Sequence, residues 1–248
     1  SKRPIVIWII GGTSETGELL KKIKGRVEYI VSVATESGRE VLGDETNLIV
    51  ARLDLQRMRT FIHDYSITLV VDVTHPYATE VSRNARQACQ ESTIQYRRYV
   101  RETSDREGAV CVRSIEECAA FLKTISGCVF FTTGSKNIPD FQKVKGQNRF
   151  IYRVLPTPAS LETCHQNHVA MKDIVAVLGP LSEALNIAMF QEYHSEYVVM
   201  KDSGKTGGTP QKLSACRKLG ITSVLICRKD EEGISNLDLL AEMICRKS

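Results

Sequence analysis

No apolar run in this sequence approaches the roughly 18 residues needed to cross a bilayer. The longest, such as Ile5 to Ile10, are strand-sized, so no membrane partner is expected. The opening "SKRPIVIWIIGG" puts basic residues before an apolar run, but that run is too short for an export signal. It ends in Gly-Gly with a helical pattern behind it rather than a small-residue cleavage site, so it is taken as a first buried strand. Charge of one sign is also scarce. The net charge of +4 is dispersed along the chain and supplies no clustered basic face, which excludes nucleic acid as an expected partner. The eight cysteines form no Cys-x-x-Cys pair, and several lie in apolar periodic segments such as "IEECAAFL" and "SVLICR". They are expected to be reduced core thiols of a cytoplasmic protein. "CHQNH" brings Cys164, His165 and His168 together, but the His pair at i, i+3 has no further ligand pair at workable spacing, so no metal site is expected. Internal repeats and low-complexity segments are missing as well.

What is present is an alternation of strand-like and helical patterns. Strands are expected at 4–10, 28–34, 47–51, 67–73 and 95–100, and again at 128–133, 149–154, 174–178, 196–200 and 222–227. Continuous apolar runs of this kind suit parallel strands buried on both faces. Helical spacing links Ile115, Cys118, Ala119, Leu122 and Ile125. It recurs in Leu181, Ala184, Leu185, Ala188 and Met189, and again in Leu237, Leu240, Ala241 and Ile244. The charged stretch "RETSDREG", residues 101–108, divides the strands five and five. The pattern predicts an α/β protein of two Rossmann-like, doubly wound parallel-sheet domains, 1–105 and 106–248, with a ligand cleft between them.

Ligands of such sheets bind beyond the carboxyl ends of the strands, so the strand-to-helix loops carry the candidate chemistry. In "IIGGTSETGELL", Gly11 and Gly12 allow close backbone approach, and the helix start behind them is a ready anion site. Thr13 and Ser14 are candidate hydroxyl donors or helix caps. Gly11, Gly12 and Gly17 only approximate Gly-x-Gly-x-x-Gly, so a tight turn with an N-cap is the competing interpretation. The loop "SVATESGRE" follows the second strand, where an adenosine ribose is met. It holds Glu36, Ser37 and Arg39 together, which leaves NADH and NADPH both open. In "DVTHPYATEVSRNA", Pro76 suits a first helical turn and Thr74 a cap. His75 and Tyr77 then project near the strand ends, His75 as a proton exchanger near neutral pH.

The remaining loops are "TTGSKNIPDF", with Lys136, "VLGPLSEALN", with Ser182 and Asn186, and "YVVMKDSGKTGGTPQK". Gly204-Lys205-Thr206 imitates the end of a Walker A loop. That loop requires Gly-x-x-x-x-Gly-Lys-Thr, and Val199 holds the place of its first glycine. The stretch is therefore a glycine-rich loop with Lys201, Asp202, Ser203 and Lys205, suited to a carboxylate- or phosphate-bearing ligand.

Taken in order, "GGTSE" (11–15), "THPYA" (74–78), "RVLP" (153–156), "GPLSEALN" (179–186) and "KDSGKTGG" (201–208) resemble the precorrin-6A reductase family, which includes the cobalt-precorrin-6A reductases of corrinoid (vitamin B12) biosynthesis. The resemblance covers nearly the whole chain. It departs at Arg101-Glu102 and Arg228-Lys229, where Arg-Pro is usual, and at "GPLS", where a Phe-containing version is commoner. It implies hydride transfer from NADPH or NADH to a double bond of the precorrin-6A or cobalt-precorrin-6A macrocycle. Gly11, Gly12, Thr13, Ser14, Glu15, Thr35, Glu36, Arg39, Thr74, His75 and Pro76 are then expected at the cofactor. Lys136, Arg153, Lys201, Ser203, Gly204 and Lys205 are expected at a tetrapyrrole-derived substrate, whose carboxylates also suit Arg97 and Arg98. Reduction adds a proton too, for which His75, Tyr77, Asp202 and Ser203 are candidates. Two rivals stand beside this expectation: a two-domain nicotinamide-dependent reductase of another polyanionic substrate, and a non-catalytic dinucleotide-sensing module.

Overall fold

The computed structural model describes residues 5–102, 104–228 and 232–246. Pro4, expected to open the first strand, and Lys229 lie outside the described residues. The chain forms β1 (Val6–Ile10), α1 (Ser14–Ile23), β2 (Glu28–Val33), α2 (Glu36–Leu42), β3 (Leu48–Val50), α3 (Leu55–Asp64), β4 (Ile67–Asp72), α4 (Thr79–Ser92) and β5 (Gln95–Arg98). It continues with β6 (Val110–Val112), α5 (Ile115–Leu122), β7 (Cys128–Phe131), α6 (Ile138–Gln142), β8 (Arg149–Val154) and α7 (Pro158–Gln166). Then follow β9 (Ile174–Ala176), α8 (Glu183–Glu192), β10 (Tyr197–Lys201), α9 (Thr209–Leu219), β11 (Thr222–Ile226) and α10 (Leu237–Arg246). Among the described residues no helix is long and apolar enough to cross a membrane.

Two compact units result: Ser1–Arg101 with Asp230–Ser248, and Glu102–Lys229. The first unit's sheet has the order β3-β2-β1-β4-β5, all parallel. Its strands are apolar on both sides, so both faces are covered. Trp8, Met58, Phe61, Ile62, Val70 and Ala85 pack beneath α3 and α4. Ile7, Ile9, Leu19, Ile23, Val31 and Val71 pack on the other face.

That second face corrects the expected boundary. The last helix was assigned to the second domain, yet Leu240, Ala241 and Ile244 of α10 are buried against α1 and β1 in the first unit. The returning chain pairs first with the end of β5: Ile234 N donates to Arg98 O at 2.9 Å and Val100 N to Ile234 O at 3.1 Å. Gly233 permits this approach, since a Cβ there would lie 2.6 Å from Arg98 O. α10 thus helps α1 cover a face that α3 and α4, on the opposite side, leave open.

The second unit's sheet runs β6-β11-β10-β7-β8-β9, again parallel. β7 to β11 repeat the 3-2-1-4-5 order of the first unit, and β6 is added at the β11 edge. β6 has no counterpart among the expected strands; it follows directly on the charged stretch 101–108. Phe130, Ile151, Val198, Met200 and Leu225 pack against Phe190 of α8 and against Leu213, Ala215 and Cys216 of α9. α8 was foreseen, but not its inner face. Ala184, Leu185 and Ala188 point outward, while Asn186 and Phe190 are buried.

Candidate functional site

In each unit the strand order reverses at one place, between β1 and β4 and between β7 and β10. There, connections leave toward opposite faces and open a crevice at the carboxyl ends of the strands. The motif loops flank both reversals.

In the first unit, Gly11 N–H donates to Ser32 O at 2.8 Å, and a Cβ on Gly11 would meet Thr16 Cγ2 at 2.6 Å. Gly12 has φ +135°, which favours glycine, and its α carbon faces open space. Thr16 Oγ1 accepts from Gly12 N at 3.2 Å and Thr13 N at 3.3 Å, shaping the turn into α1. Thr13 is the N-cap residue, but its hydroxyl donates across the reversal to Val73 O at 2.9 Å, tying the β1 and β4 loops together. Ser14 stays exposed, whereas Glu15 is buried in a two-pronged ion pair with Arg101, at 2.6 and 2.9 Å. Glu15 therefore anchors the loop instead of offering a free carboxylate.

The β4 loop hangs on Asp72, which is fully buried. Its Oδ1 accepts from Thr74 N (3.0 Å), Thr74 Oγ1 (2.7 Å) and Arg98 Nη1 (2.9 Å). Its Oδ2 accepts from Ser82 Oγ and Tyr96 OH, both at 2.6 Å. Burial, reinforced by the adjacent Asp72 charge, raises the Tyr96 phenol well above its ordinary pKa and keeps it a donor. The same two causes push Cys89 up to about 12. Two expectations change. Thr74 does not cap a helix, because its hydroxyl is bound to Asp72 and α4 begins only at Thr79. Arg98 does not face substrate, because it is buried as the partner of Asp72. Pro76 is buried, His75 is exposed, and His75 Nδ1 accepts from Tyr77 N at 3.2 Å, with the two rings 5.6 Å apart. In the neutral ring that bond leaves the proton on Nε2. At the β2 end, Thr35 caps α2 through Gly38 N at 3.2 Å, and exposed Glu36 and Arg39 face each other at 3.8 Å.

The second unit repeats the aspartate. Asp202, directly after β10 and fully buried, accepts from Gly204 N at 3.1 Å, just as Asp72 accepts from Thr74 N. Its other oxygen takes Arg106 Nε and Nη2 at 3.1 and 2.9 Å. Ser203 Oγ donates to Gly207 O at 3.1 Å, and Ser203 N donates to Thr209 Oγ1 at 3.0 Å. Asp202 and Ser203, expected as proton donors, instead brace the glycine-rich loop. Gly208, at φ +86°, would place a Cβ 2.8 Å from Pro180 Cβ, so this loop lies directly against "GPLS".

Cations gather at this end of the sheet. Arg153 Nη1 donates to the buried Asn186 Oδ1 at 2.8 Å, and burial pushes its guanidinium down to about 10. Asn186 is held in turn by Leu181 O and Ser182 O. Ser182 caps α8 through Leu185 N at 3.2 Å. Lys201 Nζ donates to Asn137 Oδ1 at 3.3 Å, and burial, then the charge of Lys136, lowers its pKa. Lys136 is exposed, and Lys205 pairs on the surface with Glu102 at 2.6 Å. Lys212, in the first turns of α9 after the glycine-rich loop, is not among the expected site residues. It is buried, it donates to Thr132 Oγ1 at 3.3 Å, and burial, with the charge of Arg153, pushes it down to about 7.

The sequence profile described as "Precorrin-6x reductase CbiJ/CobK" matches residues 6–245. The chain belongs to that family. It is 30% identical over 230 residues to the cobalt-precorrin-6A reductase of Priestia megaterium, covering 90% of each chain. It is 29% identical over 229 residues to the cobalt-precorrin-6A reductase of Methanothermobacter thermautotrophicus, covering 90% of this chain and 76% of that one. A solved precorrin-6A reductase, CobK, superposes with a TM-score of 0.77 at 20% identity, covering 98% of this chain and 96% of that one, which supports the fold. Membership makes the chain an oxidoreductase whose chemistry is a reduction in cobalamin biosynthesis. A tetrapyrrole-derived substrate agrees with that membership.

Proposed function

We propose that the chain reduces a double bond of precorrin-6A or cobalt-precorrin-6A with NADPH or NADH. The observation that carries this is the bare glycine turn of residues 11–13, opening at the strand reversal of the first unit. The nicotinamide cofactor fits this unit. Gly12 leaves open space beside the backbone at the head of α1, whose N-terminal dipole favours a pyrophosphate. Gly11, Gly12, Thr13 and Ser14 would hold that group, with Glu15 fixing the turn through Arg101. Thr74, His75 and Pro76 would border the nicotinamide half, and Thr35, Glu36 and Arg39 the ribose. Glu36 favours a free 2′-hydroxyl and Arg39 a 2′-phosphate. When bound, the cofactor supplies the hydride.

The protein's own contribution is positioning and charge. Asp72 and Arg98 hold the 73–77 loop in one conformation. His75 and Tyr77 present exchangeable protons there for the second hydrogen of the reduction. Lys136, Arg153, Lys201 and Lys205 meet the substrate's carboxylates. We assign the reaction to the cytoplasm, where the free Cys89, Cys118, Cys164 and Cys216 stay reduced.

The test is anaerobic oxidation of reduced nicotinamide by purified protein supplied with each macrocycle. Oxidation that requires a macrocycle supports the proposal. No oxidation with either form, by either dinucleotide, overturns it.

A further inference from the structure

Lys212 is an amine in a place that disfavours its charge. It sits one turn into α9, near the positive end of the helix dipole, and only 7% of it is exposed. Arg153 on β8 adds a repelling charge. Cys216, on the same helix, and Asp202, after β10, act in the opposite sense. Asp202 is already engaged by Arg106 and by Gly204 N. The Lys212 ammonium donates to the neutral Thr132 hydroxyl at 3.3 Å, whose own proton goes to Val199 O at 3.1 Å. An ammonium carries three donors, and leaving them poorly matched in the interior is costly. Such a group at the carboxyl end of a parallel sheet, beside the half-buried Arg153, has the composition of an anion site awaiting its anion.

We propose that Lys212 and Arg153 together hold one carboxylate of the substrate, making Lys212 a specificity-determining residue. This rests on the reductase proposal above, which names the carboxylate-bearing ligand. It goes beyond it by placing recognition on a buried amine with a measurable protonation state. The folded protein's amine loses its proton near pH 7, and an adjacent carboxylate favours the ammonium. Binding at pH 8 therefore draws a proton from solution onto Nζ.

The experiment combines ¹⁵N-lysine labelling with calorimetry of the intact protein. The Nζ resonance lost in Lys212→Met identifies the group, which is expected to titrate near pH 7 in the free protein. Adding precorrin-6A at pH 8 should move it to the ammonium form. Calorimetry at pH 8 in two buffers of different ionisation heat should show uptake of about one proton. Lys212→Met should lose that uptake and bind roughly 10- to 100-fold more weakly, the range for a hydrogen bond to a charged group. Lys212→Arg should also lose the uptake, since its guanidinium never releases a proton, while keeping more affinity than Lys212→Met. Binding by the wild type with an unmoved resonance and no proton uptake overturns the inference and leaves the reductase proposal standing. A resonance moved by NADPH and not by the macrocycle also overturns it, assigning the amine to a phosphate. A macrocycle that fails to bind at all overturns both.

Discussion

The two units share the 3-2-1-4-5 strand order and place a fully buried aspartate at the end of the strand beyond the reversal. Each aspartate accepts the backbone N–H two residues on. They differ in what surrounds it. Asp72 is enclosed by Thr74, Ser82, Tyr96 and Arg98, which leaves the neighbouring glycine turn as bare backbone. Asp202 is neutralised by Arg106, still 32% exposed, and Lys212, itself beside Arg153, lies near it. One scaffold thus presents either a turn clear of bulky side chains at a helix N-terminus or charged side chains. The choice rests on a few residues at the strand ends.

The largest expected effect contrasts the two aspartates. Asp72→Ala leaves Arg98 buried without its counter-charge and should cost about 3–5 kcal/mol in chemical denaturation. Asp202→Ala leaves Arg106 able to reach water and should cost about 1–2 kcal/mol. Equal losses would break the distinction between a sealed hub and an open one. Next, Leu240→Ala should cost about 2–5 kcal/mol, with early loss of amide protection in α1 and β1 and little change in β7 or β10. Protection lost first in the second unit would contradict the placing of α10.

The third prediction concerns pH. The Lys212 amine titrates near its ordinary value in the unfolded chain and at about 7 in the folded one. Between those values the unfolded chain holds the extra proton, so this group makes the native state more stable as pH rises from 7 toward 10. Lys212→Met should therefore stabilise the protein by a few kcal/mol, on the order set by a shift of about three pH units. The gain should be full below pH 7 and fade above it. Thermal melts at pH 6 and pH 9 measure this, and a gain that grows with pH would show the sign to be wrong. The smallest effect is expected from Lys201→Ala combined with Lys205→Ala. Macrocycle affinity should fall, dinucleotide affinity should hold, and stability should change little. Equal loss of both ligands would move the glycine-rich loop to the cofactor.

Much of the fold was legible in the pattern. Apolar runs such as "VIWII", "LVVD" and "YVVM" have no polar alternation because both their faces are covered, and that marks a parallel sheet. The glycines and hydroxyls after those runs marked the loops. What each side chain does there was not legible. Glu15, Thr74, Asp202 and Ser203 have the composition of ligand-binding residues, but their polar atoms are engaged by partners up to 96 positions away. Lys212 has no local signature, because nothing near it in the chain reveals that its amine meets Thr132, with Arg153 and Asp202 close by.

By itself the sequence determined the α/β class, most of the strands, the position of the motif loops and the family they resemble. Each of these depends on local periodicity or on short contiguous residues. Only the tertiary structure decided that the last helix completes the first unit, that β6 joins the second sheet, and which charged groups are already paired. Those outcomes depend on which distant segments meet, and burial, ion pairing and the protonation of Lys212 exist only once they have.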